Sequence, residues 1–515
     1  MMKPKIDCLI IGPYEMEFAQ HERILSALGK DNPVYKNTNL RFIKKENKAY
    51  SAFEFFKLSV FQQKPDANEK TFEMFSNAIA YLGTYLINRG YSFDYINSFP
   101  IQKEELAEKL QNSDVLSIAL VTTTYGNPIP IKKLISFIRK YNTDAKIIVG
   151  GPYINGEIRN NTEIDAHSIL KSIGADIYVN STQGEESLTK VLRALKENAS
   201  LNKVPNLFFK HENSFIKTEV LNENNDLGEN LIQWELFKDN LPNQVFSRLS
   251  ISCPFKCSFC DFPQRMGDYK YLDIKDVEKE LDSIERTGKV KSVSFVDDTI
   301  NVPVPRFKEI LRMMIRKKYS FKWHCLFRCQ FADEEMVKLM AESGCESVHL
   351  GIESGSEQIL LNMNKKATLE QFSKGVQLLN KYNIITYASF IIGFPGETKQ
   401  TVNETIKFIE DSNFTFYILH PWYCSPMTPI WKEKEKYELS GDWAFNWKHK
   451  TMHSGEAVNY VEEIITKIKN SIHSPLHLQE IMILLHNGLS IDQIKDHLIN
   501  FNHEIIKKLD NLSVS

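Results

Sequence analysis

The sequence predicts an α/β protein built from two successive β/α series and a mostly helical C-terminal region. Short apolar strands alternate with amphipathic helices before residue 200, and a second alternation begins at Val245. After about residue 430 the periodicity is mainly helical. Such alternation with continuous apolar strands is typical of parallel sheets covered on both faces. The 515 residues are 42% hydrophobic and 25% charged, which is the ordinary globular range.

The first series is predicted to form a doubly wound, Rossmann-like domain over residues 1–200. Its strands are expected at 6–11, 92–96, 115–122, 146–149 and 176–179, and its helices at 72–89, 102–111, 129–141, 161–173 and 185–197. A stretch rich in Phe, Lys and Asn, from about residue 13 to 70, interrupts it and is interpreted as an inserted lid. Residues 201–244 are predicted to be a linker or a small connecting hairpin.

The second series is predicted to form an open partial (β/α)6 barrel over residues 245–430. Its strands are expected at 247–250, 292–295, 323–327, 347–350, 387–392 and 416–420. In barrels of this kind the site lies at the carboxyl ends of the strands. Residues 431–515 begin with an aromatic stretch and continue with helices expected at 456–471, 476–486 and 491–509.

Charge and hydropathy exclude several classes of function. The 63 Lys and Arg residues nearly balance 65 Asp and Glu residues, so we expect neither nucleic acid nor an acidic membrane as a partner. No apolar run reaches the roughly 18 residues of a membrane span, and the apolar run at the N-terminus is too short for a signal peptide. We therefore expect a cytoplasmic protein.

Three of the eight cysteines, Cys253, Cys257 and Cys260, lie within eight residues, directly after the first strand of the second series. Three thiolates on one loop can hold three irons of a 4Fe–4S cluster and leave the fourth iron open to chelate S-adenosylmethionine (SAM). The alternative is a zinc site, but zinc sites prefer two pairs of ligands. The pair Cys325 and Cys329 sits on a predicted strand, which makes zinc the weaker interpretation.

The cysteine triplet with Phe259, placed on this loop, resembles the radical SAM superfamily. The resemblance covers about residues 245–425 and implies SAM contacts at the ends of the later strands. The segments that match end the second to fifth strands, at 295–299, 328, 351–355 and 391–397. The residues that the resemblance assigns to SAM are Asp298, Arg328, Glu353, Ser354 and Gly393. The adjoining Lys365 and Lys366 are interpreted as a solvated charge pair.

The first domain resembles the cobalamin-binding domain that precedes many radical SAM domains. Hydroxyl residues end one strand, two glycines end the next, and a glycine and an acid open the last helix. The implied cobalamin contacts are Thr122, Thr123, Thr124, Tyr125, Gly150, Gly151, Gly184 and Glu185. The Asp-x-His-x-x-Gly motif that supplies a cobalt ligand in that family is absent, and His167 is interpreted as a helix-surface residue. A degenerate domain without cofactor is the alternative.

The N-terminal pattern and the segments 421–431 and 447–452 resemble the P-methyltransferase-like enzymes of phosphinothricin tripeptide biosynthesis and their relatives in natural-product pathways. This implies a radical SAM methyltransferase that uses a 4Fe–4S cluster, SAM and cobalamin to methylate an unactivated carbon or a phosphinate phosphorus. The implied partners are a small or carrier-bound substrate and a one-electron reductant such as flavodoxin or ferredoxin. Two alternatives remain: an epimerase, cyclase or rearrangement enzyme without net methyl transfer, and a non-catalytic cofactor-binding sensor.

Overall fold

The computed structural model describes residues 3–14, 16–63, 72–212 and 214–513. Residues 64–70 of the predicted lid lie outside the described residues. Across the described ranges, no helix is long and apolar enough to cross a membrane. The strands, numbered in chain order, are β1 (Lys5–Ile11), β2 (Phe42–Lys45), β3 (Lys48–Ser51), β4 (Phe93–Ile96), β5 (Asp114–Val121), β6 (Lys146–Gly150), β7 (Ile177–Val179), β8 (Leu207–His211), β9 (Ser214–Lys217), β10 (Gln244–Ser247), β11 (Ser250–Ile251), β12 (Lys270–Tyr271), β13 (Ser292–Phe295), β14 (Lys322–Phe327), β15 (Cys345–Glu353), β16 (Ile385–Ile392), β17 (Phe416–Pro421), β18 (Ser440–Gly441), β19 (Trp447–His449), β20 (Met452–His453) and β21 (Ile472–His473).

Most α-helices lie close to their predicted positions, and those of the inserted segment are additional. In chain order they are α1 (Phe18–Ser26), α2 (Pro33–Asn39), α3 (Ala52–Gln63), α4 (Asn77–Ile87), α5 (Lys103–Asn112), α6 (Ile129–Tyr141), α7 (Pro152–Asn160), α8 (Glu163–Ile173), α9 (Glu185–Lys196), α10 (Phe262–Met266), α11 (Ile274–Arg286), α12 (Val304–Lys317), α13 (Glu334–Glu342), α14 (Glu357–Asn362), α15 (Leu369–Lys381), α16 (Lys399–Ser412), α17 (Ser454–Lys467), α18 (Leu478–His486) and α19 (Ile491–Ser513).

The chain divides into two compact units whose limits differ from the predicted boundaries. The first unit contains the described parts of Met1–Met16, Glu73–Pro242 and Lys279–Lys289. The second contains those of Glu17–Phe72, Asn243–Glu278 and Val290–Ser515. The inserted segment was expected to belong to the first domain, but it packs in the second unit together with the C-terminal helices.

The first unit is organised around a sheet with the strand order β4–β1–β5–β6–β7–β8–β9. Its first five strands are parallel, and β8 and β9 form an antiparallel hairpin at one edge. Leu9, Ile118 and Ile147 face each other in register across β1, β5 and β6 and are fully buried. The parallel part has the 2-1-3-4-5 order of flavodoxin-like folds, in which ligands bind where the order reverses, here between β1 and β5. The predicted linker supplies the edge hairpin.

The second unit contains an open parallel sheet with the order β10–β13–β14–β15–β16–β17–β21. Val293, Trp323 and Val348 are fully buried on successive strands and belong to its core. Five of the six predicted strands agree with the structure. Each either matches the expected limits to within two residues or contains the whole expected span. The first strand, β10, ends at Ser247, so the predicted span 247–250 was placed three residues late. The seventh strand, β21, comes from the C-terminal region and was not predicted. The two sheets confirm the predicted fold class.

The inserted segment is held in the second unit by aromatic packing against α19. This helix buries Ile494, Leu498, Phe501 and Ile505 at helical spacing. The Phe501 ring lies 5.9 Å from that of Phe56 and 6.3 Å from that of Phe55, both on α3. Lys508, about two helical turns beyond Phe501, donates to the carbonyl of Phe42 at 2.8 Å. The segment is therefore an integral layer of the second unit.

Replacing Phe501 by Ala should loosen residues 17–63, because a buried Phe→Ala change costs about 3–5 kcal/mol. We expect faster limited proteolysis within 17–63 and a lower thermal unfolding temperature. Ile499 lies on the same helix and is 40% exposed, so Ile499→Ala is the matched control and should change neither measurement. Equal protease resistance of the two variants would contradict this assignment of the segment.

Candidate functional site

The cysteine triplet lies on an irregular loop between two very short paired strands. After β10 the chain forms β11, runs through Cys253, Cys257 and Cys260, and returns as β12. Ser250 of β11 pairs in antiparallel register with Tyr271 of β12, so the two ends of the loop are joined. Because β10 is parallel to β13, the loop lies at the carboxyl end of the second sheet, as predicted.

Asp297, directly after β13, anchors the start of this loop. Its carboxylate accepts the backbone N–H of Leu249 at 3.0 and 3.1 Å and also the Ser250 hydroxyl. Burial raises the pKa of Asp297, while these hydrogen bonds and the nearby Arg306 guanidinium favour its charged form. Arg306 donates to the carbonyl of Leu272 at 2.9 Å, just after β12. The sequence segment around Asp297 was singled out, but not this anchoring role.

Backbone hydrogen bonds fix the middle of the loop as well. Ser258 donates its N–H to the carbonyl of Met363 at 2.8 Å and accepts the N–H of Ile430 at 2.9 Å. The Asn364 amide donates to the carbonyl of Lys256 at 2.7 Å. Elements from three distant parts of the sequence thus determine where the thiols lie.

The donor chemistry of the loop fits a 4Fe–4S cluster. Cys257 is 8% exposed and Cys253 and Cys260 are partly exposed, so the thiols remain reachable from outside the core. Burial raises the pKa of Cys260 to about 11, and the neighbouring Cys257 adds to the effect, so a bound metal has to stabilise the thiolate. In the described ranges, no three His, Cys, Asp or Glu side chains converge on a single-ion site. A cubane cluster does not need such convergence, because each thiolate binds a different iron.

A buried network of charged groups lies beside the loop. The Arg328 guanidinium stacks 3.6 Å above the centre of the Phe255 ring and donates to the carbonyl of Lys365 at 2.8 Å. The Lys365 ammonium donates to Glu353 Oε1 at 3.0 Å and lies 5.7 Å from the centre of the Phe259 ring. Glu353 itself has a φ of 70°, an uncommon conformation for a residue with a Cβ. The structure therefore brings the predicted residues Arg328 and Glu353 together through Lys365.

Lys365 is a site residue that the sequence analysis missed. The interpretation of Lys365 and Lys366 as a solvated pair is wrong for Lys365, which is 6% exposed, and holds only for the exposed Lys366. Asn364 and Lys366 both have positive φ, 50° and 57°, so the backbone reverses sharply and turns Lys365 inward. The signal in the sequence was the Asn before the two lysines, since Asn tolerates this conformation.

The turn after β16 holds its shape through a buried carboxyl group. Gly393 has a φ of 93°, and a Cβ there would lie 2.6 Å from the Trp447 ring. Its N–H is accepted by Glu397, and its carbonyl accepts His449 Nε2–H at 3.1 Å. Burial raises the pKa of Glu397 to about 8, and its Oε1 has no hydrogen-bond partner. Only glycine fits this position, because the Trp447 ring and Ala457 fill the space that a Cβ would occupy.

The other two residues assigned to SAM lie in different surroundings. Asp298 is exposed, and surrounding protein atoms together with Asp297 raise its pKa to about 6. Its charge acts on Cys260, which places it at the cysteine loop. Ser354 is fully buried, where its hydroxyl lies 3.4 Å from that of Thr405 on α16 and accepts the N–H of Ser356 at 3.1 Å. Ser354 therefore packs against a helix and does not offer its hydroxyl to a ligand.

In the first unit, the hydroxyl residues after β5 divide into two kinds. The buried Thr122 donates its hydroxyl to the carbonyl of Gly150 at 2.8 Å and so joins β5 to β6. The expected cofactor contact of the Thr122 hydroxyl is therefore replaced by a structural one. Thr123 and Thr124 are exposed, and no residue in the described part of the chain hydrogen-bonds to their hydroxyls. The Tyr125 hydroxyl accepts the N–H of Tyr14 at 3.2 Å, across the point where the strand order reverses.

The remaining predicted contacts of this unit flank the same edge of the sheet. Gly151 has a φ of 109°, and a Cβ there would lie 2.9 Å from the Thr122 hydroxyl oxygen, which requires glycine. Gly184 precedes α9, whose first N–H groups are already taken by the Glu223 carboxylate at 2.9 and 3.1 Å. Glu185 accepts a hydrogen bond from Asn225 at 3.2 Å. The α9 end is thus occupied by protein groups, whereas the β5 and β6 ends are open.

His167 does not lie among these residues. It is on α8, and its ring contacts Phe215 of β9 edge to face at 5.4 Å. Within the described residues of this unit, no histidine lies at the carboxyl end of a parallel strand. This placement agrees with the interpretation of His167 as a residue on the outer side of a helix.

A comparison with family models decides the nature of the second unit. Residues 248–409 match the model described as the Radical SAM superfamily. The second unit therefore contains a radical SAM segment. The matched range contains the cysteine triplet, Asp297, Arg328, Glu353, Lys365 and Gly393. The family confirms the predicted enzyme class and the predicted 4Fe–4S cluster and SAM as cofactors, and it disfavours the non-catalytic sensor.

Relatives of this radical SAM enzyme extend the similarity beyond the matched range. An uncharacterized methyltransferase of Pyrococcus horikoshii is 26% identical over 330 residues, which are 62% of this chain and 69% of that protein. An anaerobic magnesium-protoporphyrin IX monomethyl ester cyclase of Cereibacter sphaeroides is 25% identical over 382 residues, 69% of this chain and 59% of that protein. The chain thus spans about 60 to 70% of the length of these two relatives.

A solved structure shares the fold of both units. The radical S-adenosylmethionine methyltransferase TsrM from Kitasatospora setae, with cobalamin and a [4Fe–4S] cluster bound, has a TM-score of 0.59 and 16% identity. The match covers 85% of this chain and 97% of that one. The N-terminal sheet and the radical SAM sheet therefore occur together in one known architecture.

Lys365→Met should lower the thermal unfolding temperature of the radical SAM domain, because removing one partner of a buried ion pair costs about 3–5 kcal/mol. Adding Glu353→Gln should restore much of the loss, since no charge then stays buried alone. The control is Lys366→Met, because Lys366 is the neighbouring lysine, has a similar φ and is exposed. This variant should unfold at the same temperature as the wild type. Additive losses in the double variant would show that the two side chains do not interact.

Proposed function

We propose that this chain is a cobalamin-dependent radical SAM methyltransferase, which transfers a methyl group from SAM through methylcobalamin to an unactivated carbon or a phosphinate phosphorus of a natural-product-type substrate. One observation supports this above the others. The radical SAM site is preceded in the same chain by a flavodoxin-like sheet whose open edge carries Thr123 and Thr124 without partners. The fold shared with a cobalamin-bound methyltransferase supports the same assignment.

In this proposal Cys253, Cys257 and Cys260 hold the cluster, whose fourth iron is left for SAM. The reduced cluster and SAM, when bound, supply the 5′-deoxyadenosyl radical. The protein holds the thiols in place through Asp297 and Ser258 and excludes water from the site. An external one-electron reductant such as flavodoxin or ferredoxin is the proposed electron source.

Arg328, Glu353, Asp298 and Gly393 are the proposed SAM contacts. Arg328 has a buried Nε without a partner, which fits a carboxylate ligand as the remaining acceptor. Glu353 offers a second carboxylate oxygen beyond the one that Lys365 engages, and this oxygen suits ribose hydroxyls. Ser354 is not carried into the proposal, because its hydroxyl is used inside the protein.

Cobalamin is proposed to bind at the carboxyl ends of β5 and β6. Thr123 and Thr124 supply free hydroxyls, and Gly150 and Gly151 allow a large planar ligand to approach the backbone. Tyr125 borders the same edge, whereas Gly184 and Glu185 lie beside the Glu223 carboxylate. No protein histidine ligates cobalt in this proposal. When bound, cobalamin supplies the methyl group.

A second candidate, a cobalamin-binding radical SAM cyclase or rearrangement enzyme, is favoured by the cyclase relative, which matches 69% of this chain. It would use the same cofactor sites. The mass of the product separates the two, since methyl transfer adds one methyl group and cyclisation or rearrangement adds none. The methyltransferase proposal also includes the relation to the phosphinothricin P-methyltransferase subgroup.

Cys257→Ala should abolish the brown 4Fe–4S chromophore, about four bound irons and the release of 5′-deoxyadenosine from SAM, because one cluster ligand is lost. The matched control is Cys325→Ala, which removes a buried thiol from the same sheet. This control should keep iron and SAM cleavage. A Cys257→Ala protein that still cleaves SAM under reducing conditions would refute the assignment.

The purified protein should bind one cobalamin, and reduced enzyme with SAM should methylate its substrate. The electron paramagnetic resonance spectrum of Co(II) should show no imidazole nitrogen, and His167→Ala should leave that spectrum unchanged. An imidazole hyperfine pattern that disappears in His167→Ala would contradict the cobalamin geometry. Turnover of SAM to 5′-deoxyadenosine with a product of unchanged mass would instead support the second candidate.

A further inference from the structure

One face of β15 is directed at the Glu353–Lys365 pair. The same face continues along the strand toward its amino end. A Cβ at Gly351 would lie 2.5 Å from Glu353 Oε1 and 3.2 Å from Lys365 Nζ, so this face of Gly351 points at the pair. Side chains two residues apart on a strand share a face. His349 therefore lies on the same face, about 7 Å further toward the amino end of the strand. Its ring contacts Tyr387, its register partner on β16, at 5.0 Å.

On β17, His420 meets an arginine from the inserted segment. Arg41 Nη2 donates to His420 Nδ1 at 3.1 Å. Because a guanidinium has no acceptor, Nδ1 is the acceptor and the neutral imidazole carries its proton on Nε2. Among the described residues this Nε2–H has no acceptor, and the His349 ring nitrogens have no hydrogen-bond partner either. Two imidazoles thus offer unused polar groups on the inner side of the sheet.

Arg41 carries a positive charge without a matching carboxylate. In the part of the chain that the structure describes, no Asp or Glu forms an ion pair with its guanidinium. The groups that act on its charge are Tyr387 and Glu480. Glu480 accepts the backbone N–H of His477 at 2.7 Å at the start of α18. Arg41 is partly buried, and burial lowers the pKa of its guanidinium, so an anionic or strongly polar partner would stabilise the charged form.

Several titratable groups act on one another around Arg41, and Lys365 also acts on His349. Burial lowers the pKa of His349 to about 4 and of His420 to about 3. Burial also lowers the pKa of His473 and of His477, and the positive charge of Arg41 adds to the effect. At neutral pH these imidazoles are uncharged donors, and the charged groups that act on one another here are Arg41 and Glu480.

We propose that Arg41, with His420 and His349, binds an oxyanion of the substrate: a carboxylate or a phosphorus oxyanion. A guanidinium presents parallel N–H donors that match two oxygens of such a group, and the imidazole Nε2–H of His420 supplies a third donor. The inference rests on the proposed function, because it names the substrate class of that same reaction.

The test measures binding of two probes, methylphosphinate and acetate, to the reconstituted full-length protein by isothermal titration calorimetry at constant ionic strength. Wild-type protein should bind at least one probe, and Arg41→Gln should bind it about tenfold or more weakly, since a hydrogen bond to a charged partner is lost. Arg41→Lys, which keeps the charge but not the fork, should fall in between. Tighter binding of methylphosphinate identifies a phosphorus oxyanion, and tighter binding of acetate identifies a carboxylate.

Arg312→Gln is the matched control, because Arg312 is an exposed arginine of the same unit that pairs with Glu335. It should bind the probes like the wild type. A second variant, His420→Gln, keeps Arg41 and should also weaken probe binding. It tests the proposal if Arg41→Gln does not fold. Equal affinity in wild type and in folded Arg41→Gln or His420→Gln, or no binding of either probe to the wild type, would overturn the proposal.

Failure of this inference is distinguishable from failure of the proposed function. Probe binding requires no turnover, whereas release of 5′-deoxyadenosine from SAM requires no substrate oxyanion. Wild-type protein that binds a probe through Arg41 but never cleaves SAM would refute the proposed function and leave the oxyanion site standing. Protein that cleaves SAM but binds the probes independently of Arg41 would refute the oxyanion site alone.

Discussion

The position of the cysteine loop depends on one buried carboxylate. Asp297 receives the N–H of Leu249 and the hydroxyl of Ser250, and thereby joins the end of β13 to the first turn after β10. A carboxylate stripped of water is costly, and backbone and hydroxyl donors together with Arg306 offset that cost. Because Arg306 also binds the carbonyl after β12, both ends of the loop are tied to the same charge pair.

The neighbouring buried charges follow the same logic. Arg328, Lys365 and Glu353 are nearly enclosed; Lys365 and Glu353 form an ion pair, and Arg328 donates to the Lys365 carbonyl and stacks on the Phe255 ring. Such pairs add little net stability compared with apolar residues, but breaking one is costly. They therefore act mainly to hold ligand-binding groups in a defined arrangement at the ends of β14 and β15. The unpartnered Nε of Arg328 leaves one buried donor for the proposed SAM carboxylate.

Sequence periodicity predicted the two sheets and the cysteine loop because these depend on local patterns. Strands such as β5 and β16 are continuous apolar runs, and the triplet spacing is itself the signal. Lys365 was misread because its inward direction comes from two left-handed backbone positions, which side-chain polarity does not reveal. The inserted segment was assigned to the wrong neighbour because Phe56 packs against Phe501, more than 400 positions away. Contacts of that range leave no periodic signature.

The inserted segment has a consequence for specificity. The strands of the radical SAM sheet carry the cofactor residues, whereas Arg41 belongs to a segment inserted into the first β/α series. A cation supplied from an insertion can change without disturbing the sheet, because its own fold rests on α19. The two imidazoles on β15 and β17 provide general donors, and the insertion adds the charge that selects an anion. In the proposed arrangement the sheet carries the cofactor contacts and the insertion carries the charge that selects the substrate.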